Sequence, residues 1–335
     1  MKNKVLKKLK SAEGKYVSGE QLSEYLGVSR TYIWKCIKEL REEGYVIESS
    51  PKVGYKLTFI PDIINSKEIM TERESKILGK NVIYFPQIDS TNNYAKKIAQ
   101  EGCEEGTVVI ADLQTSGRGR LGRKWSSKNK KGILMSVVLK PEISIEELQI
   151  ITLAASVAVV ETVKELIGIG LGVKWPNDII LDGRKVCGIL TEASMEMDKI
   201  NFVVLGIGLN VWHEKEDFPD ELEEKATSLS IYMKQKSQLN DIIIRRSRLI
   251  IRILYKLEEL YDKINKGDLG SITTLWKKYS VTLGREVLIS VKGEQHSGIA
   301  IDITNEGKLV VECTDGSRKE VLSGEIYVKG LLGYQ

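Results

Sequence analysis

The run Gly117-Arg-Gly-Arg-Leu-Gly-Arg-Lys-Trp125 spaces Arg118, Arg120 and Arg123 among glycines. Glycines let backbone N–H groups approach a ligand, and forked guanidinium donors match phosphate or carboxylate oxygens, so this is anion-binding chemistry. Trp125 adds a flat surface on which a base could stack. The run also contains G-x-G-x-x-G, but the dinucleotide fingerprint needs a helix directly after it. The stretch from Arg123 to Gly132 is polar and strongly basic instead. An exposed surface loop, or one touching nucleic acid, is the alternative; charge this dense repels itself unless an anion binds, which favours a small anionic ligand.

A second cluster is Lys174-Trp-Pro-Asn-Asp178, with Gly183-Arg-Lys-Val-Cys-Gly188 shortly after it. Pro176 cannot donate to a sheet ladder and marks a strand end, which predicts Asn177 and Asp178 on a loop rim and Lys185 at the start of the next strand. Arg184 alone would read as a solubility residue, but the whole W-P-N-D run would not. The four cysteines (Cys36, Cys103, Cys187, Cys313) are far apart and the histidines are His213 and His296, so neither a disulfide framework nor a zinc cluster is supported. Reduced, mostly buried thiols are expected. No Ser-His or Cys-His nucleophile is visible.

The elements that must position these groups can be read from patterning. Strands are predicted at Val82–Phe85, Thr107–Asp112, Ile133–Leu139, 172–175, 186–192 and 202–210, with helices after Ser90 and over 145–167. This order suggests an α+β layer with helices against one sheet, spanning residues 81–275. The apolar stretch Leu148 to Val163 is interrupted by Gln149, Thr152, Ser156 and Glu161, which suits a buried helix better than a membrane span. A helix around Ile242–Ile264 reads as an amphipathic packing helix despite Arg245, Arg246 and Arg248. Short runs at Val287–Val291, Ile299–Ile303, Leu309–Cys313 and Val321–Leu322, separated by Lys292-Gly293, Asn305-Glu-Gly307 and Thr314-Asp-Gly316, predict a small all-β barrel within 276–335.

At 335 residues, 42% hydrophobic and 29% charged, the chain suits two or three domains. The opening MKNKVLKKLK lacks the apolar run of a secretory signal, so the cytoplasm is the expected location. Residues 1–60 hold twelve Lys/Arg against seven Asp/Glu, a balance of +5 that leaves the other 275 residues near −1. Within that basic segment, Ser18-Gly-Glu-Gln21 has capping-box spacing, Gly27 breaks the helix it starts, and Ser29 caps a second helix, Arg30 to Glu43, with apolar Ile33, Cys36, Ile37 and Leu40. Tyr45-Val-Ile-Glu, the turn Ser50 to Gly54 and Tyr55-Lys-Leu read as a wing with Lys52 at its tip. A helical adaptor with a solvated face is the alternative; the charge and the wing favour DNA binding by residues 1–62, through Gly19 to Lys38 and especially Arg30, Thr31 and Lys35, with Tyr32 beside them. Residues 63–80 read as a linker or connecting helix.

Asp89-Ser-Thr-Asn92, Gln114 with Gly117-Arg-Gly-Arg120, Lys174 to Asp178, and Lys185, in this order, resemble the biotin protein ligase family, specifically its bifunctional members that also repress biotin operons. The resemblance spans nearly the whole chain. It implies a winged helix-turn-helix, then an α+β catalytic domain with a mixed sheet like that of class II aminoacyl-tRNA synthetases, then an SH3-like barrel. It implies that Ser90, Thr91, Asn92 and Gln114 hold the ureido ring of biotin, with Gly117, Arg118, Gly119, Arg120 and Lys185 completing the pocket. Arg120, Arg123, Trp125, Lys174, Asn177 and Asn210 are implied on the ATP and adenylate side, and Lys185, Arg118, Arg120 and Asp178 as the catalytic set. Magnesium is expected with ATP and not at a fixed protein site. The implied partners are a biotin carboxyl carrier protein, biotin operator DNA and, when ligand is bound, a second copy of the chain; no membrane is implied. Leu121 departs from the arginine of some relatives, and the chain lacks a Met-Lys-Met acceptor segment, which makes it the donor enzyme. The alternatives are a lipoate-type protein ligase, against which the polar Ser-Thr-Asn and Gln set argues, and a ligand-sensing repressor without catalysis.

Overall fold

A computed structural model of the chain describes residues 1–64, 66–128, 130–196, 199–236, 244–291, 294–322, 326–329 and 331. Its contacts divide between Ile63 and Ile64 into two units.

The N-terminal unit comprises helices α1 (Lys2–Ser11), α2 (Gly19–Leu26) and α3 (Arg30–Glu42), and the antiparallel pair β1 (Val46–Ser50) and β2 (Gly54–Phe59). Both arms of the predicted capping box form: Gln21 N donates to Ser18 Oγ at 3.0 Å and Ser18 N to Gln21 Oε1 at 3.1 Å. Gly27 closes α2 in the left-handed region (φ 66°), and Ser29 caps α3 by accepting from Tyr32 N at 3.2 Å. The predicted stripe of Ile33, Cys36, Ile37 and Leu40 is buried, packed on Val5, Leu6 and Leu9 of α1. Patterning misses α1, whose apolar positions are scattered through a lysine-rich run.

The second unit is built on a seven-stranded sheet in the order β3 (Val82–Phe85), β4 (Val108–Ala111), β5 (Gly132–Leu139), β9 (Lys199–Asn210), β8 (Arg184–Glu196), β7 (Asp178–Leu181), β6 (Gly172–Lys174). Strands β3 and β4 run parallel and the other neighbours antiparallel, so the sheet is mixed as expected. Alternation along β5 and β9 sends Ile133, Met135, Val137, Leu205, Ile207 and Leu209 into the core shared with α6 (Leu148–Ile167), α7 (Leu229–Gln235), α8 (Arg246–Asn265) and α9 (Leu269–Tyr279). Helix α6 is buried nearly all round, which is why it is almost uniformly apolar. On the opposite face α5 (Thr91–Gln100) covers Val109, Val138, Phe202 and Val204. That leaves the stretch near Leu134, Gly206 and Gly208 for a ligand.

Within 63–80, α4 (Ser66–Glu72) buries Ile69, and Leu78 is fully buried in the second unit's core. The Glu258 carboxylate of α8 accepts from the backbone N–H groups of Lys76, Ile77 and Leu78 at 2.5–2.7 Å, which fixes this stretch against α8. Helix α8 packs as predicted: Arg246 is buried, and Arg248 and Arg252 pair with Glu74 at 2.6 Å. Three of the four predicted C-terminal strands form β10 (Glu286–Val291), β11 (Glu294–Ile303) and β12 (Leu309–Cys313); the fourth, β13 (Arg318–Val321), ends where the predicted run Val321–Leu322 begins. A fifth, β14 (Ile326–Val328), closes the antiparallel order β13-β12-β11-β10-β14. The predicted turn Lys292-Gly293 lies outside the described residues. Helix α9 runs across residues 275 and 276, and the first barrel strand begins only at Glu286.

Candidate active site

Strand β9 places glycines where the opposite face carries core residues: Gly206 and Gly208 alternate with Leu205, Ile207 and Leu209. A Cβ on Gly208 would stand 2.6 Å from Trp125 Cε2, and one on Gly188 of β8 would stand 2.9 Å from Trp125 Cζ3. The indole therefore lies directly on main chain. Beside it a cavity of about 480 Å³ opens. Its lining includes Ser90, Thr91, Asn92, Gln114, Arg118, Gly119, Arg120, Arg123, Trp125, Lys174, Asn177, Asp178, Lys185 and Asn210. Gly117 lies just behind, packed on Gln114 and Trp125.

At one side the polar groups are neutral. Ser90 caps α5, so Thr91 and Asn92 fall in its first turn. Gln114 Oε1 accepts from Thr91 N at 2.7 Å and from Thr91 Oγ1 at 2.9 Å. Ser136 Oγ lies 2.8 Å from Thr91 Oγ1 and 2.6 Å from Asn92 Oδ1. Buried hydroxyls and amides held in a network of this kind present fixed donors and acceptors to a neutral polar ring.

The other side is cationic. Lys185 Nζ is 2.5 Å from Asp178 Oδ1 and 5.6 Å from the Trp125 ring centroid. Arg120 Nη1 donates to Asn177 Oδ1 at 3.3 Å, and Asn177 Nδ2 donates to Ile189 O at 2.8 Å. Lys174 is buried, and loss of water pushes its ammonium below the usual lysine range, against the pull of Asp178. Asn210 Nδ2 donates to Thr227 O at 3.1 Å.

The basic loop is a tight hairpin and not the start of a helix. Gly119 N donates to Arg123 O at 2.7 Å and Trp125 N to Gly117 O at 2.9 Å. Leu121 sits at its tip with φ 55°. The dinucleotide fingerprint thus lacks its helix; a single turn, Arg120–Gly122, takes its place. The predicted loop rim needs one correction: Asn177 lies in the turn, but Asp178 opens β7, which patterning misses because four residues after a proline are too few to show alternation. That turn is clamped from the barrel side, where Trp175 N donates to Thr282 Oγ1 at 2.9 Å and Trp175 Nε1 to Gly307 O at 3.1 Å.

Motif reading also misses Leu190, Phe218, Leu222, Ala226 and Tyr327, all of which line the cavity. They carry no local signal, because they reach the site only through β8, the segment after β9 and the barrel. In the N-terminal unit Arg30, Thr31, Tyr32, Lys35 and Lys38 are exposed on α3, and Lys52 stands in the β1–β2 turn with φ 68°. Arg30 is held by Glu20 at 2.6 Å, and Trp34, which the motif reading leaves out, is 56% exposed on the same helix.

Residues 84–210 match the biotin/lipoate A/B protein ligase family, residues 2–56 a helix-turn-helix domain, and residues 282–329 the biotin protein ligase C-terminal domain. The chain is 38% identical over 308 residues to the bifunctional ligase/repressor BirA of Bacillus subtilis, covering 92% of this chain and 93% of that one. It is 30% identical over 318 residues to the bifunctional ligase/repressor BirA of Escherichia coli K12, covering 95% and 94%. A solved biotin protein ligase from Aquifex aeolicus, in complex with biotin and ATP, superposes with a TM-score of 0.62 at 28% identity, over 75% of this chain and 99% of that one. With a helix-turn-helix unit, a cavity joining neutral and cationic groups, and relatives of this identity over nearly the full length, the chain belongs to the biotin protein ligase family, among its bifunctional ligase/repressors.

Proposed function

We propose that this chain activates biotin with Mg·ATP, transfers it to a lysine of a carboxyl carrier protein, and binds operator DNA through its N-terminal unit. The observation that carries the ligase reading is the meeting, in one cavity, of the neutral Thr91–Gln114 pair, backed by buried Ser136, with the Lys185–Asp178 and Arg120–Asn177 pairs. The neutral side suits a ureido ring, which presents two donors and an acceptor; a dithiolane offers these groups no such partner.

A carboxylate is a poor acylating agent because its leaving group is oxide. In the proposed reaction the biotin carboxylate oxygen attacks the α-phosphorus, the bond to the bridging oxygen breaks, and pyrophosphate leaves with that electron pair. Lys185, Arg120 and Arg123 neutralise converging negative charge, with magnesium carried in on ATP. The carrier lysine, as a neutral amine, then attacks the acyl carbon; AMP leaves and the amide nitrogen gives up a proton. The chain's own part is to place and neutralise, so no protein nucleophile is required.

The test is pyrophosphate release on incubation with ATP and either biotin or lipoate. Release with biotin alone supports the reading; release only with lipoate, or with neither, overturns it in favour of a lipoate-type ligase or a repressor without catalysis.

The repressor half rests on the basic α3 face and wing of a helix-turn-helix unit. A single winged helix makes few phosphate contacts, so binding gains from two units on a palindromic site in a ligand-dependent homodimer. Linkage then requires ligand to tighten dimerisation and dimerisation to tighten ligand binding by the same factor. Sedimentation and operator titrations with no ligand, biotin and a non-hydrolysable biotinoyl-adenylate analogue read this directly; one mass and one affinity in all three conditions overturn the coupling.

A further inference from the structure

Glu192 lies on β8, two residues past Leu190 and four past Gly188, and so shares their face of the sheet. Its carboxylate is split between two partners. Oε2 accepts from Asn92 Nδ2 at 2.9 Å, and Oε1 stands 3.4 Å from Arg118 Nη1, which also donates to Asn93 Oδ1 at 2.9 Å. A glutamate near the mouth of an anion site is costly for affinity unless its charge is committed to a cation, and here the cation is the first arginine of the basic loop. A strand glutamate kept only for solubility would point to water; the Glu192 side chain is 22% exposed and turned toward α5.

The Asn92 amide gains a fixed sense from the same contact. With Nδ2 committed to Glu192, Oδ1 faces Ser136 Oγ at 2.6 Å, within the neutral network of the cavity. Glu192 thus touches both halves of the ligand cradle: the first turn of α5 and the root of the Gly117–Trp125 hairpin.

We propose that Glu192 is a positioning residue for ligand retention, holding Arg118 at the root of the loop that carries Arg120 and Arg123 and orienting the Asn92 amide. This rests on the ligase reading of the cavity. Arg118 then acts through the loop and not on the reacting atoms.

The experiment compares wild type, E192Q, E192D, R118Q and R118Q/E192Q. Glutamine keeps the shape and removes the charge; aspartate keeps the charge on a shorter arm. Preformed biotinoyl-adenylate is followed as it leaves the enzyme, beside single-turnover pyrophosphate release and thermal unfolding. E192Q is expected to speed adenylate dissociation about tenfold while slowing its formation by less, with E192D between the two. R118Q should give a similar increase, and the double variant no more than either single change, because both remove one contact. Trypsin cleavage within 118–131 of the ligand-free protein should rise in E192Q at unchanged melting temperature, a readout independent of catalysis. Dissociation and cleavage within twofold of wild type in E192Q, or a double variant equal to the product of the singles, overturns the proposal. Should wild type form no adenylate, the ligase reading fails instead, and the trypsin comparison still decides whether Glu192 anchors the loop.

Discussion

Arg246 and Asp112 form an ion pair at 3.2 Å in which the two side chains are only 1% and 4% exposed. Arg246 Nη1 also donates to Gly132 O at 3.2 Å, and Tyr84 donates to Asp112 Oδ2 at 2.6 Å. Burial and the neighbouring carboxylate push the Tyr84 phenol up to about 12, so it stays a donor. Asp112 comes just after β4 and Gly132 opens β5, so one guanidinium holds both stems of the segment that carries Gln114, the arginine hairpin and Trp125. Arg246→Ala strands a buried carboxylate, and urea unfolding is expected to show a loss of about 3–5 kcal/mol. A loss below about 1 kcal/mol would mean that water replaces the arginine without cost.

Lys185 faces Asp178 and the Trp125 ring inside the cavity, where negative charge converges in the proposed transition state. Lys185→Ala should slow single-turnover adenylate formation about 100-fold or more, with a smaller change in ATP affinity, because the lost interaction strengthens during reaction. Rapid-quench measurement decides this; a wild-type rate removes Lys185 from the mechanism.

His213 is 3% exposed, stacked on Phe218 at 5.4 Å, and both ring nitrogens lack a hydrogen-bond partner among the described residues. Burial lowers its pKa from 6.5 to about 4, with Asp217 opposing and Lys131, Lys128 and Arg246 assisting. The unfolded chain therefore binds more protons than the folded one between pH 4 and 6.5. This contribution to stability is whole above about pH 6.5 and lost as pH falls toward about 4, by about 3 kcal/mol. His213→Phe should flatten that part of the stability profile, read as unfolding midpoints from about pH 4 to 7; an unchanged slope would show that the imidazole is not neutral by burial.

Removing residues 1–63 should abolish operator binding and leave much of the ligase activity, because the exposed α3 residues and the cavity fall in separate units. Lys35→Ala should weaken binding to all sequences and reduce the salt slope by about one, as expected for a phosphate contact. An unchanged slope in filter-binding titrations would place Lys35 off the DNA.

The parts legible in sequence are those whose signal is local. The capping box joins Ser18 to Gln21 within a single turn, and the stripe from Ile33 to Leu40 repeats within one helix. The arginines among glycines from Gly117 to Arg123 and the run Lys174 to Asp178 announce themselves by type, whereas Ser90, Thr91, Asn92 and Gln114 are legible only through the family resemblance. What stays hidden depends on chain closure. Arg246 meets Asp112 across 134 residues, Glu192 meets Asn92 across 100, and Tyr327 reaches the cavity from the barrel. Strands β7 and β14 are too short to carry a period, and α1 hides its Val5, Leu6 and Leu9 among lysines.

The glycines beneath Trp125 bear on how such a pocket can change. Gly188 and Gly208 present bare main chain, and any side chain there would displace the indole that rests on it. Mutation at this floor can only add bulk, so it can close the site but cannot tune it. Variation that admits a larger or differently shaped acid must then come from the walls, at Leu190, Ala226 or Tyr327, where side chains exist to be trimmed or exchanged. Selection for altered substrates would thus leave Gly188 and Gly208 almost untouched while the walls around them diversify.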